Sequence, residues 1–147
     1  MKNKILIILV VFMIILAIVT YGVYNYRKQL VEAQKINNLY KTYENIQILG
    51  SELISIINRT IDIDEKEGIE KDQDGLYIDN GKDSIKIYIE FLYGDDETRT
   101  VEMEKIANSG IDQFINVYST ASFKCTNISY HEKTNNVKSL TFTQLQN

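Results

Sequence analysis

The sequence predicts an α+β fold: an N-terminal transmembrane helix continuing into an amphipathic helix, then a small antiparallel sheet of about five strands with two short helices. Three observations carry this expectation. Residues 5–24 hold no charge and run apolar without a break from Ile5 to Val19. Apolar residues then recur every three or four positions as far as Ile46, with no Gly or Pro between residues 23 and 49. Beyond Gly50 strand-like alternation follows, clearest in Ser84–Phe91, where Ile85, Ile87, Ile89 and Phe91 point one way and Lys86, Tyr88 and Glu90 the other.

As a helix, residues 5–24 measure about 30 Å, the thickness of a bilayer's hydrocarbon core. A cleaved signal peptide is the competing reading, but its apolar core is normally about 7–15 residues. A small-x-small cleavage site is also poor here: Thr20-Tyr21-Gly22 is the nearest, and Ala17 is followed two residues later by bulky Val19. The expectation is an uncleaved signal anchor over residues 1–28. Lys2 and Lys4 on one flank balance Arg27, Lys28 and Lys35 on the other, so the positive-inside rule hardly decides orientation. All 20 acidic residues lie after Lys28, against 12 basic ones. That acidic balance favours a single-pass protein of the cell membrane with its N-terminus cytoplasmic and its C-terminal domain extracytoplasmic. Tyr21, Tyr24 and Tyr26 suit an aromatic belt at the outer interface.

Residues 29–49 are expected to extend the helix into water, with Leu30, Ala33, Ile36, Tyr40, Tyr43 and Ile46 as an apolar stripe. Gly50 breaks this pattern and opens a domain over residues 50–147. Ser51 is placed to cap a second helix, with Glu52 in its first turn and Leu53, Ile54, Ile56, Ile57 and Ile61 as its apolar face. Leu76–Asp79 and Ser84–Phe91 flank Asn80-Gly81, the pattern of a β-hairpin. Thr98–Met103 reads as the next strand. Ser109 and Asp112 form a capping box for a short helix carrying Ile111, Phe114, Ile115 and Tyr118, and strands Phe123–Tyr130 and Val137–Phe142 follow.

Chemistry-bearing patterns are sparse. Cys125 is the only cysteine, so the chain forms no internal disulfide. It shares a strand face with Phe123 and reads as a small buried hydrophobe; His131, the only histidine, lies at a turn six residues on. The acidic stretch from Asp62 to Asp79 admits two readings. Glu70-x-Asp72-x-Asp74-Gly75 mimics the opening of a calcium loop, but Gly81 stands where the bidentate acid belongs, which favours a solvated acidic loop. Tyr77 and Tyr88 are the one tyrosine pair expected on an outer sheet face, where they would offer a stacking surface. There is no phosphate loop, nucleophile elbow or metal-spaced His/Cys set, so no cofactor and no enzymatic activity are expected. No basic stripe exists to neutralise phosphates, which argues against nucleic acid as a partner. Abundant Ile, Lys, Asn and Tyr, with no Pro or Trp, predict an AT-rich bacterial genome.

A short basic N-terminus, an apolar helix running into an amphipathic one over Ile5–Leu49, and a small antiparallel domain resemble the layout of type IV pilins and pseudopilins. The resemblance is architectural and covers about the first 50 residues. The family's processing motif, a Gly followed by Phe-Thr-Leu-Ile-Glu, has no counterpart here, and Leu9 and Val10 occupy that region. The resemblance implies a filament or cell-envelope subunit acting through protein contacts. Leu30, Ala33, Ile36, Tyr40 and Tyr43 are the expected interface, to a protein partner or to other copies of the chain, through the long helix. The alternative expectation is a tethered extracytoplasmic domain for ligand sensing or cell-surface binding.

Overall fold

The computed structural model describes residues 2–93 and 97–146 and divides the chain into two compact units, Met1–Ile36 and Asn37–Asn147. The first unit is a single helix. α1 (Lys2–Lys41) starts there and its last residues belong to the second unit. Its apolar side chains from Ile5 to Val19 are exposed, and one helix of the described residues is thus long and apolar enough to cross a membrane. Thr20, the polar residue at the end of that run, bonds its hydroxyl to the Leu16 and Ala17 carbonyls of its own helix. That arrangement satisfies the hydroxyl hydrogen within the helix itself.

The second unit contains β1 (Gln47–Leu49), α2 (Gly50–Lys66), β2 (Lys86–Tyr93), β3 (Glu97–Glu102), α3 (Met103–Ser109), α4 (Ile111–Tyr118), β4 (Ser122–Tyr130) and β5 (Val137–Gln144). The five strands form one sheet in the order β1-β4-β5-β2-β3. Side chains directly opposite share a face. The register therefore gathers Ile48, Phe123, Cys125, Phe142, Leu140, Ile87, Ile89 and Val101 on one side, where the helices pack. Thr126, Thr141, Thr143, Tyr88 and Glu90 lie on the other side. There Thr126 and Thr143 bond hydroxyl to hydroxyl and Thr143 donates to Glu90.

The expected α+β class is present and the sheet has five strands. The expected strand Leu76–Asp79, however, is reduced to an isolated bridge between Tyr77 and Lys71, and β1, in a stretch expected to be helical, takes its place in the number. The sheet is mixed rather than antiparallel, because β5 runs parallel to β2, with Ile87 opposite Leu140. Alternation sets which face a strand buries but not which strand it pairs with. α1 also stops at Lys41, short of residue 49. Asn45 takes a left-handed φ of 61°, and Asn45 N–H and Ile46 C=O bond to the backbone of Cys125. Pairing with β4 outweighs continuation of the helix. The folded unit accordingly begins at Asn37, not Gly50. Asn37 donates to the Asn135 carbonyl and accepts from Val137 N–H, and Tyr40 is wholly buried.

Asn80-Gly81 makes a turn but no hairpin. Asn80 Oδ1 accepts from the N–H groups of Lys82, Asp83 and Ser84, and Asp79 accepts from Gly81 N–H. Only Gly81 of the pair has positive φ, whereas a type I′ turn needs both. The side-chain amide has captured the backbone donors, and β2 takes its antiparallel partner from β3 instead. Residues 103–118 hold two short helices where one was expected. Gly110, at φ 105°, separates them, and Ser109 bonds back to the Ile106 carbonyl rather than capping α4. Ser51 does not cap α2 either. The first N–H groups of that helix are satisfied by the carbonyls of Ala121 and Ser119. Such close approach needs the glycine: a Cβ on Gly50 would lie 2.0 Å from the Tyr118 carbonyl oxygen.

Candidate interaction surfaces

The residues of the expected interface divide between the two units. Leu30, Ala33 and Ile36 lie on the first, where Leu30 is 44% exposed and its neighbour Val31 64%. Tyr43 is half-buried in the turn after α1. Tyr40 leaves the set, because its ring is fully buried in the domain and its hydroxyl shares a 2.6 Å hydrogen bond with Thr60 on α2. Helical spacing put Tyr40 on the apolar stripe correctly, but the stripe turns into the domain core at that point.

A second surface lies at the corner of the sheet. Helices α3 and α4 cover the inner face only partly, and a groove of about 520 Å³ opens between them and the ends of β2 and β3. Its floor is aromatic. Phe91 lies 4.8 Å from Tyr118 and meets Phe123 edge-on at 6.0 Å, while Phe114 lies 5.3 Å from Tyr118 (centroid distances). Tyr93 and Val117 stand exposed at the rim, and Arg99, Ser109 and Gln113 supply polar groups. The volume falls within the range of small-molecule and side-chain pockets. Alternation places Phe91 on the apolar strand face and helical spacing places Phe114 and Tyr118 on one helix face, but neither pattern shows where the helix layer ends.

The acidic stretch splits according to backbone position. Asp72 accepts from the N–H groups of Asp74 and Leu76, which makes it a turn-former. Among the described residues no group of three or more His, Cys, Asp and Glu side chains is placed to hold a metal ion. Asp64 is instead fully buried on the inner face of α2. Its position was readable, because Leu53, Ile57, Thr60 and Asp64 fall at helical steps of four, three and four on one face. One carboxylate oxygen accepts from Ile85 N–H at 3.0 Å. Burial pushes its pKa up from 3.8 to about 7, against the lowering effect of that hydrogen bond, and the nearby Glu104 adds to the rise. Glu104, also buried, accepts from Tyr77 N–H at 3.0 Å and from Lys86 Nζ at 3.1 Å.

Tyr77 is buried and off the sheet, so the expected Tyr77–Tyr88 stacking pair does not form. The Tyr77 hydroxyl bonds to Glu65, and Lys71 lies 4.5 Å over its ring. Cys125 and His131 have separate partners. The Cys125 thiol, pushed up to about 11 by burial, points to the Asn127 carbonyl, and His131 Nε2 sits 2.8 Å from the Ser84 carbonyl. Compared with known proteins, the chain matches no protein-family model, no curated protein and no solved structure.

Proposed function

We propose that this chain is a single-pass, membrane-anchored, non-enzymatic protein whose C-terminal domain faces away from the cytoplasm and works through protein contacts, as a subunit of a pilin-like or other envelope assembly. The observation that carries the reading is the exposed apolar pair Leu30–Val31, which continues α1 past the Arg27-Lys28 charges that mark the membrane edge. Apolar side chains in that position gain from parallel helices of other copies or of a partner subunit. The excess of acidic residues after Lys28 supports the outward orientation.

The test is cysteine cross-linking in the native membrane, in a Cys125→Ser background. Cysteines at Leu30 or Ala33 are expected to join chains, and a cysteine at Lys35 is not. Monomers at every position, at native expression, would overturn the assembly reading. Protease treatment of intact cells tests the orientation: loss of the domain is expected, and digestion only after lysis would refute it. The groove beside Phe91 and Tyr118 favours a second reading, a tethered domain that binds an apolar ligand or peptide side chain.

A further inference from the structure

Three ionisable side chains from three elements lie close enough in the interior to feel one another's charge. Lys86 of β2 pairs with Glu104 of α3 at 3.1 Å, and Asp64 of α2 bonds to the backbone of Ile85 next to Lys86. The two carboxylates are 0% and 2% exposed. Each uses one oxygen. Asp64 Oδ1 holds Ile85 N–H, and Glu104 Oε1 holds both Tyr77 N–H and the Lys86 ammonium. Among the described residues, Asp64 Oδ2 and Glu104 Oε2 meet no donor. With both acids ionised, two buried negative charges face one positive charge, and the cluster retains a net charge in a medium that solvates it badly.

We propose that this trio is a proton-operated clasp, closed when Asp64 is protonated and loosened when Asp64 ionises against Glu104. A proton on Asp64 Oδ2 removes the uncompensated charge and leaves the Lys86–Glu104 pair neutral overall. The bond from Ile85 N–H survives in either state, because it goes to Oδ1. Asp64 holds α2 to the start of β2 through Ile85 N–H, and Glu104 holds α3 to the same strand through Lys86; these helices pack on the inner face of the sheet.

The other charged or titratable groups around Asp64 do not substitute for that proton. Lys71 is directed to Glu65 and the Tyr77 ring. The Tyr40 hydroxyl is engaged with Thr60. His131 holds the Ser84 carbonyl, with its other ring nitrogen 3.7 Å from Asp79. The domain should therefore tighten in mildly acidic surroundings and slacken in alkaline ones, opposite to the behaviour of an acid held by a salt bridge.

The experiment compares urea unfolding of the full chain in detergent micelles at about pH 5 and about pH 8, for the native sequence and for Asp64→Asn. Asparagine keeps the oxygen acceptor for Ile85 but carries no charge at either pH. One proton lost across about two pH units weakens the folding equilibrium by up to about 100-fold, so the native midpoint should fall at the higher pH and the Asp64→Asn midpoint should not. A native midpoint unchanged between the two conditions, or an equal fall in the variant, would overturn the clasp. Should Asp64→Asn fail to fold, carbon-13 NMR of aspartate carboxyls in the native chain decides. One carboxyl titrating near neutrality supports the proposal, and all of them titrating in the ordinary acidic range refutes it.

Discussion

Truncating Tyr40 separates the domain boundary seen in the structure from the one expected at Gly50. The ring has no exposed surface, and its hydroxyl meets Thr60, which also bonds to the Ile56 carbonyl. Two substitutions divide these contributions. Tyr40→Phe removes one buried hydroxyl and leaves Thr60 its bond to Ile56, so the loss should be about 1 kcal/mol. Tyr40→Ala also empties a ring-sized space, and large aromatic-to-alanine changes in cores cost about 3–5 kcal/mol. Against a total stability of about 5–15 kcal/mol for a small domain, the second change removes a large share. Urea unfolding of the full chain in micelles, followed by near-ultraviolet dichroism of the remaining tyrosines, measures both variants. A Tyr40→Ala loss below about 1 kcal/mol would show that the ring lies outside the core, and would return Tyr40 to the outer stripe.

Gly50→Ala should cost more than about 2 kcal/mol, since the new Cβ meets the Tyr118 backbone carbonyl and neither partner is a side chain free to swing away; thermal unfolding reads it, and an unchanged midpoint would refute the close approach. Asp79, bonded to Lys138 at 2.7 Å and to Gly81 N–H, is lowered from 3.8 to about 2. Its contribution is full above about pH 4 and lost as pH falls through about 2; because the pair is largely exposed it should amount to no more than about 1 kcal/mol, and Asp79→Asn should flatten the acid limb of the stability profile by that amount. Cys125, 1% exposed with a thiol pushed up to about 11, should react with a thiol reagent at neutral pH only on unfolding; rapid labelling of the folded chain would contradict its burial.

The parts of the fold that were legible in the sequence are those set by local pattern. The alternation in 123–130 and 137–142 located β4 and β5 to within two residues at each end, and the apolar spacing after Gly50 located α2. What escaped was decided by distant partners. The end of α1 depends on a strand some eighty residues later, whose Cys125 backbone bonds to Asn45 and Ile46. The parallel pairing of β5 with β2 leaves no mark in either strand's own pattern. Asn-Gly failed as a hairpin signal because Asn80 turned its amide on its own backbone, a local competitor that the dipeptide rule omits. For the candidate surfaces, the stripe at Leu30 and Ala33 followed from helical spacing, while the groove arises from where the helix layer ends. Asp64 sits at the head of an acidic stretch whose composition favours solvation, yet its helical spacing from Leu53 and Ile57 turns it inward, where it is buried.

The position of β5 bears on the order in which the domain is completed. It is the last of the five described strands yet lies inside the sheet, with β4 on one side and β2 on the other. Until Val137–Gln144 arrives, β1 and β4 have no hydrogen-bonded link to β2 and β3, and the sheet exists as two separate ribbons. Two-stranded ribbons are marginal in water. A chain whose strands become available in the order β1 to β5 would thus stay loose until residues near 140 insert Leu140 and Phe142 between the two halves. Late arrival of the keystone strand makes folding slow relative to a helical bundle of equal size, and it makes the joining of the two ribbons a single late event.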